Sequence, residues 1–189
     1  MPACLPVDSL SQTLLLPSFF THNLFHCSFC LPCLAAGEWL RPHLLAGLRL
    51  LMGGDGRTLW TRPFTLSLLY RASRDGRTNA AFHARCDGKG PTLTVLRSAN
   101  GCVFGGFAAV GWASGGGHVE APGSWLFSLV DVRGSRPLRM DLVDANDACA
   151  VCHSSVCGPA FGGVGDGFDL QVYWSSFHES RPSSYRMVR

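Results

Sequence analysis

From Leu34 to Met52 apolar residues recur at threes and fours, at Trp39, Leu40, Leu44, Leu45, Leu48 and Leu51. That spacing predicts an amphipathic helix with Pro42 near its start, ended by Gly53-Gly54-Asp55-Gly56. Further along, the period shortens. Leu66 to Arg71 reads as a buried strand, and the Arg74-Asp75-Gly76 corner turns the chain into a short helix from about Thr78 to Cys86. Thr78 is its N-cap, Phe82 and Cys86 share one face, and Asp87-Gly88 stops it. Thr92 to Ser98 and Cys102 to Val110 are β-rich runs separated by Ala99-Asn100-Gly101, and Asn-Gly tolerates the positive φ of a tight hairpin. Gly115-Gly116-Gly117 reads as a flexible loop, after which Trp125 to Val132, Leu138 to Val143 and Ala148 to Ser154 have strand composition.

Many short strands with glycine-rich connections predict a mainly β protein with flanking helices, an α+β chain built on a two-sheet antiparallel β-sandwich. Tyr70, Phe82, Phe104, Trp125, Phe127 and Phe161 are the large side chains expected to fill its core. Glycine pairs stand beside an aromatic in Phe104-Gly105-Gly106 and Phe161-Gly162-Gly163. Such glycines mark bulges or places where another backbone comes close, and a ligand cradle is the sharper alternative. Residues 1–33 mix Pro, Cys, Ser and Leu without helical or strand period and are expected to be a disordered leader or a gene-model extension.

The 189 residues suit one domain with an extension, and 47% apolar content suffices for a sizeable core. The formal charge is +3, with sixteen basic residues along the chain and no basic tract to follow phosphates, so nucleic acid is not an expected partner. The apolar stretch from Leu10 to Ala36 is broken by Pro17, His22, Asn23, His26 and Pro32. A spanning helix needs about 20 predominantly apolar residues, so no membrane insertion is expected. Nine cysteines preclude complete internal pairing, and no basic start precedes Leu14-Leu15-Leu16. The expectation is an intracellular, cytoplasmic protein with free thiols.

Chemistry-bearing patterns are sparse. Cys149-Ala150-Val151-Cys152-His153 matches the attachment motif for c-type haem but leads into Gly158-Pro159 as an apparent strand, a poor setting for haem. Cys27, Cys30 and Cys33, with His22 or His26 or the second cysteine group, offer tetrahedral zinc ligands without the usual second knuckle. Cys86 neighbours His83 and Arg85, although a helical cysteine is most often a small buried hydrophobe. Asp141, Asp144 and Asp147 lack the alternation and terminal glutamate of a calcium loop and read as turn residues. Asp166 and Asp169 read as part of a polar loop, and Gly163-Val164-Gly165-Asp166-Gly167 lacks dinucleotide spacing. No Gly-x-Ser-x-Gly elbow is present, and no metal, cofactor or catalytic residue is assigned.

The blocks Leu68-Leu69-Tyr70-Arg71-Ala72-Ser73-Arg74-Asp75-Gly76 and Phe82-His83-Ala84-Arg85-Cys86-Asp87-Gly88 open a colinear series. It continues through Cys102-Val103-Phe104-Gly105-Gly106-Phe107, Trp112, Ser124-Trp125-Leu126-Phe127, Gly158-Pro159-Ala160-Phe161-Gly162-Gly163 and Asp169-Leu170. The series resembles the TLDc domain, over roughly the last two-thirds of the chain. The resemblance implies the same β-sandwich, no established catalytic machinery, and a non-catalytic interaction module associated with protection against oxidative stress and with binding the vacuolar proton ATPase. It places a helical lead-in at 34–58 and the domain at 59–189, truncated at its C-terminus and without the family's last strand. Its family-motif and candidate interaction positions are Arg71, Ser73, Arg74, Asp75, Gly76, His83, Asp87, Gly105, Gly106, Trp112, Gly158, Gly162 and Gly163. A thiol- or zinc-dependent redox enzyme built on the cysteine groups is the alternative.

Overall fold

The strands Thr92–Arg97 and Val103–Ala108 form the centre of the larger sheet, and both of their faces are buried. Their side chains alternate accordingly. Leu93, Val95, Val103 and Phe107 point into one apolar cluster, while Leu96 and Ala108 point into another on the opposite side. A strand covered on both faces reads as a near-continuous apolar run, as the sequence TLTVLR and VFGGFA does.

The computed structural model of the protein describes residues 12–15, 42–52, 67–98, 101–143, 148–163, 167–172 and 185–187. In chain order the strands are β1 (Gln12–Leu15), β2 (Ser67–Arg71), β3 (Thr92–Arg97), β4 (Val103–Ala108), β5 (Gly115–Val119), β6 (Trp125–Val130), β7 (Leu138–Leu142), β8 (Val151–Ser154), β9 (Ala160–Phe161), β10 (Leu170–Gln171) and β11 (Tyr185–Met187). The helices are α1 (Pro42–Met52), α2 (Ala72–Asp75) and α3 (Asn79–Cys86). The strands make two antiparallel sheets, one ordered β11-β7-β6-β4-β3-β1-β2 and one ordered β10-β9-β8-β5.

Between the sheets lies the first core, in which Leu96, Ala108 and Leu126 of the larger sheet meet Val151, Phe161 and Leu170 of the smaller one. Tyr70, Phe82, Cys86 and Trp112 close this core at the α3 end. The second core covers the outer face of the larger sheet, where α1 sets Leu48 and Leu51 against Trp125, Phe127 and Leu129. Arg139 of β7 fixes that helix by donating from Nη1 to the Leu51 carbonyl at 3.1 Å, while its guanidinium lies 4.8 Å from the Trp125 ring centre. A last-turn carbonyl has no intrahelical partner, so a cation donating to it caps the helix. Five of the six predicted core aromatics are fully buried; Phe104 is only partly buried at its edge.

The hairpin β3–β4 forms in the expected register, Thr92 opposite Ala108 and Arg97 opposite Val103, with Gly101 at φ 84°. Ala99 and Asn100 lie outside the described residues, as do Leu34 to Arg41 and Gly53 to Gly56. Pro42 opens α1, a position where its missing N–H costs nothing.

Three short strands differ from the sequence reading. Gly115-Gly116-Gly117 is not a loop but the start of β5, paired with β8 from Gly115 opposite Ser154 to Val119 opposite Val151. The pairing shifts register between Gly115 and His118, where Gly116 and Gly117 take φ of 81° and 90°. A glycine-rich bulge hides from a side-chain pattern because the backbone does the pairing. β1 lies within the segment from which no element is expected, and its backbone pairs with β3 on one side and β2 on the other. β11 adds an edge strand against β7, Tyr185 opposite Leu142, which the sequence reading did not include.

Candidate interaction site

β2 ends in extended backbone at Arg71, and the chain then makes one helical turn before Gly76 at φ 103° redirects it. An L side chain is strained at that φ, so glycine is required there. The turn is closed by the Gly76 N–H donating to the Ala72 carbonyl at 3.2 Å, and Tyr70 donates its hydroxyl proton to the Gly76 carbonyl at 2.7 Å. Tyr70 is fully buried, edge-on to Phe82 with ring centres 5.7 Å apart. Burial holds its hydroxyl well above the usual phenol range, with Cys86 and Asp75 adding to the effect and Arg77 opposing it. The corner is therefore anchored in the core by its first residue.

Asp75 is the hub of this corner. Its side chain is 5% exposed and accepts three hydrogen bonds: Arg74 Nε on Oδ1 at 2.9 Å, Arg74 Nη2 on Oδ2 at 2.7 Å, and the Arg71 backbone N–H on Oδ2 at 2.8 Å. Arg85 of α3 brings its Nη2 to 3.4 Å from Oδ1. The Arg74 guanidinium is the main reason the Asp75 carboxyl is held below the usual carboxylate range, against the opposing effect of burial. The same bond raises Arg74, although burial works the other way. Arg74 and Arg85 remain 47% and 56% exposed, so the buried carboxylate organises two guanidinium groups that face solvent. Ser73 is exposed on the same turn.

His83 and Asp87 form a second, internal junction. Thr78 caps α3 by accepting from the Ala81 N–H at 3.1 Å, which sets His83 on the inward face. His83 Nδ1 lies 2.7 Å from Asp87 Oδ1, and Nε2 lies 3.0 Å from the carbonyls of both Ser154 and Cys157. Ser114 donates to the other Asp87 oxygen at 2.5 Å. These bonds tie α3 to the turn after β8. Trp112 lies buried beside them, its indole N–H donating to Thr92 Oγ1 at 2.8 Å and its ring edge-on to Phe82 and Phe161.

The glycine positions are places of close approach. A methyl at Gly105 would collide with the Thr94 carbonyl and stand 2.8 Å from the Phe127 ring, and one at Gly106 would stand 2.7 Å from the Phe161 ring. Gly162, at φ 73°, leaves room for the Asp169 carboxylate, and Gly163, at φ 127°, for the His118 ring. Asp169 is thus buried rather than part of a solvated loop. Gly158 is buried at the turn that follows β8. The structure therefore joins Arg71, Ser73, Arg74, Asp75 and Gly76 in one exposed corner and His83, Asp87 and Trp112 in one internal junction. Gly105, Gly106, Gly158 and Gly162 are buried, and Gly163 is partly buried. Arg85 completes the corner, and sequence reading linked it only to Cys86. Nine residues, most of α3 among them, separate it from Asp75, a distance at which no short-range pattern signals pairing.

Cys152 stands in β8 beside Cys157, with Ala160 packed against both, and His153 lies edge-on to Trp112 with ring centres 6.2 Å apart. Burial pushes the Cys152 thiol up, and Cys157 and Cys149 push it further. A nucleophilic thiol needs the opposite shift. Burial lowers the His153 imidazole, with Asp87 opposing and His83 assisting. Among the described residues no group of three or more His, Cys, Asp or Glu side chains is placed to hold a metal ion. Cys27, Cys30, Cys33, His22, His26, Asp144, Asp147 and Asp166 lie outside the described residues. Asp141 belongs to β7 and accepts from Arg139 at 2.6 Å, so it is a paired strand residue rather than part of a turn. No described helix is long and apolar enough to cross a membrane.

The family model for the TLDc domain matches residues 55–184, most of the chain. No curated protein and no solved structure gives a significant match. The match covers β2 to β10 and both α2 and α3, so the corner, the His83 junction and the paired glycines all lie within it. The chain belongs to the TLDc domain family.

Proposed function

We propose that this chain is a non-catalytic protein-interaction module that binds the vacuolar proton ATPase inside the cell and, through that contact, contributes to protection against oxidative damage. The observation that supports it is the Asp75 corner, where a buried carboxylate holds Arg74 and draws Arg85 into solvent-facing positions on a turn anchored by Tyr70. Pre-positioned guanidinium groups lose little freedom when a partner engages them, which favours recognition. Membership of a family that is commonly non-catalytic points the same way.

The test compares peroxide survival of cells carrying the full chain with cells carrying Asp75→Asn or a variant in which Cys149, the partly exposed thiol of its group, is serine. Protection is expected to fall with Asp75→Asn and to persist without Cys149. Catalytic peroxide consumption by the purified chain, abolished by a single cysteine replacement that leaves the fold intact, would establish the enzyme alternative.

A further inference from the structure

The sixteen basic residues are scattered in sequence, and two of them, Arg74 and Arg85, meet at Asp75. Between residues 67 and 90 stand Arg71, Arg74, Arg77, Arg85 and Lys89 against only Asp75 and Asp87, a balance of +3, while the rest of the chain carries eleven basic and eleven acidic side chains. The stretch from β2 through α3 is therefore locally basic. Both acids there are already engaged, Asp75 by Arg74 and the Arg71 N–H, Asp87 by His83 and Ser114.

The arginines are not equally engaged. Arg74 uses Nε and Nη2 on Asp75, and Nη2 also reaches the Leu69 carbonyl at 3.4 Å. Its Nη1, the Nε and Nη1 of Arg85 and the guanidinium of exposed Arg77 meet no acceptor among the described residues. Planar donors of this kind match carboxylates two bonds at a time.

We infer that the α2–α3 corner is a docking surface for an acidic polypeptide segment, whose Asp or Glu carboxylates are received by Arg74, Arg77 and Arg85. The inference rests on the interaction-module reading and supplies the partner's chemistry. Charge complementarity selects the occupant. The corner's balance of +3 favours an acidic partner, and its three guanidinium groups are too few for the extended basic track that a nucleic acid's phosphates require.

Fluorescence anisotropy of a labelled decaglutamate peptide with the full chain tests this directly. Saturable binding is expected, weakening as salt rises from about 50 to about 300 mM. Arg77→Glu combined with Arg85→Glu should reduce affinity by about tenfold or more, and the Lys pair at the same positions should fall between it and the parent, because an ammonium keeps the charge but not the two-bond fork. Arg77→Gln with Arg85→Gln provides the same comparison if the charge reversal disturbs the thermal unfolding midpoint. Binding that is absent, or unchanged in a folded Gln pair, overturns the inference. So does tighter binding of a decauridylate RNA than of decaglutamate. If decaglutamate fails while the chain still associates with the proton ATPase, the acidic-segment inference falls and the module reading stands.

Discussion

Gly106 of β4 lies beneath the ring of Phe161 of β9, so close that a methyl group on it would stand 2.7 Å from Phe161 Cζ and 2.8 Å from Leu126 Cδ2. The two glycine-aromatic motifs, 55 residues apart in sequence, thus meet across the sandwich. Glycine on one sheet admits an aromatic from the other, and Trp112 seals the contact edge-on to Phe161 at 5.4 Å.

Gly106→Ala should therefore destabilise the domain by about 1 to 3 kcal/mol through overpacking. Gly115 has open space around its missing side chain and no positive φ, so Gly115→Ala should stay within about 0.5 kcal/mol of the parent. Urea unfolding of the two variants side by side checks the contrast. Equal stabilities would refute the packing account.

At the corner, Tyr70→Phe removes the hydroxyl that donates to the Gly76 carbonyl and should cost about 1 kcal/mol. Asp75→Ala loses charge-assisted bonds and leaves the Arg71 N–H without its acceptor, for about 2 kcal/mol. Arg74→Ala should cost less, about 0 to 1 kcal/mol, because its head group is half exposed and water replaces the contact. Chemical denaturation that ranks Arg74→Ala as the most damaging of the three would contradict this order.

Acid should act through the same carboxylate. Asp75 has a lowered folded-state value, so its stabilising contribution is present above the unfolded value of about 3.9 and is lost as pH falls through the folded value. The stability gap between the parent and Asp75→Asn is expected to be constant near neutrality and to narrow below about pH 4. Urea titrations at stepped pH measure it, and a gap that widens on acidification would reverse the assignment.

Thiol reactivity should follow burial. Cys86, Cys102, Cys152 and Cys157 are buried and Cys149 is partly exposed. Of these five, iodoacetamide should modify Cys149 first in the native protein, with Cys152 slow because burial also raises its thiol. Peptide mass mapping of brief alkylation decides the order.

Where side chains encode an element locally, the sequence was a good guide. Thr78 and Asp87 bracket α3 as a cap and a stop, and Asn100-Gly101 separates two runs that do pair as a hairpin. The glycines of β5 carry no side-chain period, and their strand exists because β8 supplies partners, a tertiary effect invisible in a local window. The short strands β1 and β11 likewise depend on distant neighbours. At the site, Arg74-Asp75-Gly76 was readable because turn, charge and glycine coincide in three residues. Arg85 was not, since only the packing of α3 on β2 brings it to Asp75.

The central claim is that the Asp75 corner is where this chain meets its partner. Titrating the purified full chain onto purified vacuolar proton ATPase, alongside Asp75→Asn and the Arg77→Gln, Arg85→Gln pair, measures it most directly. The account predicts saturable association, weakened about tenfold in both variants while their folds persist. No association, or association that both folded variants retain in full, would contradict it.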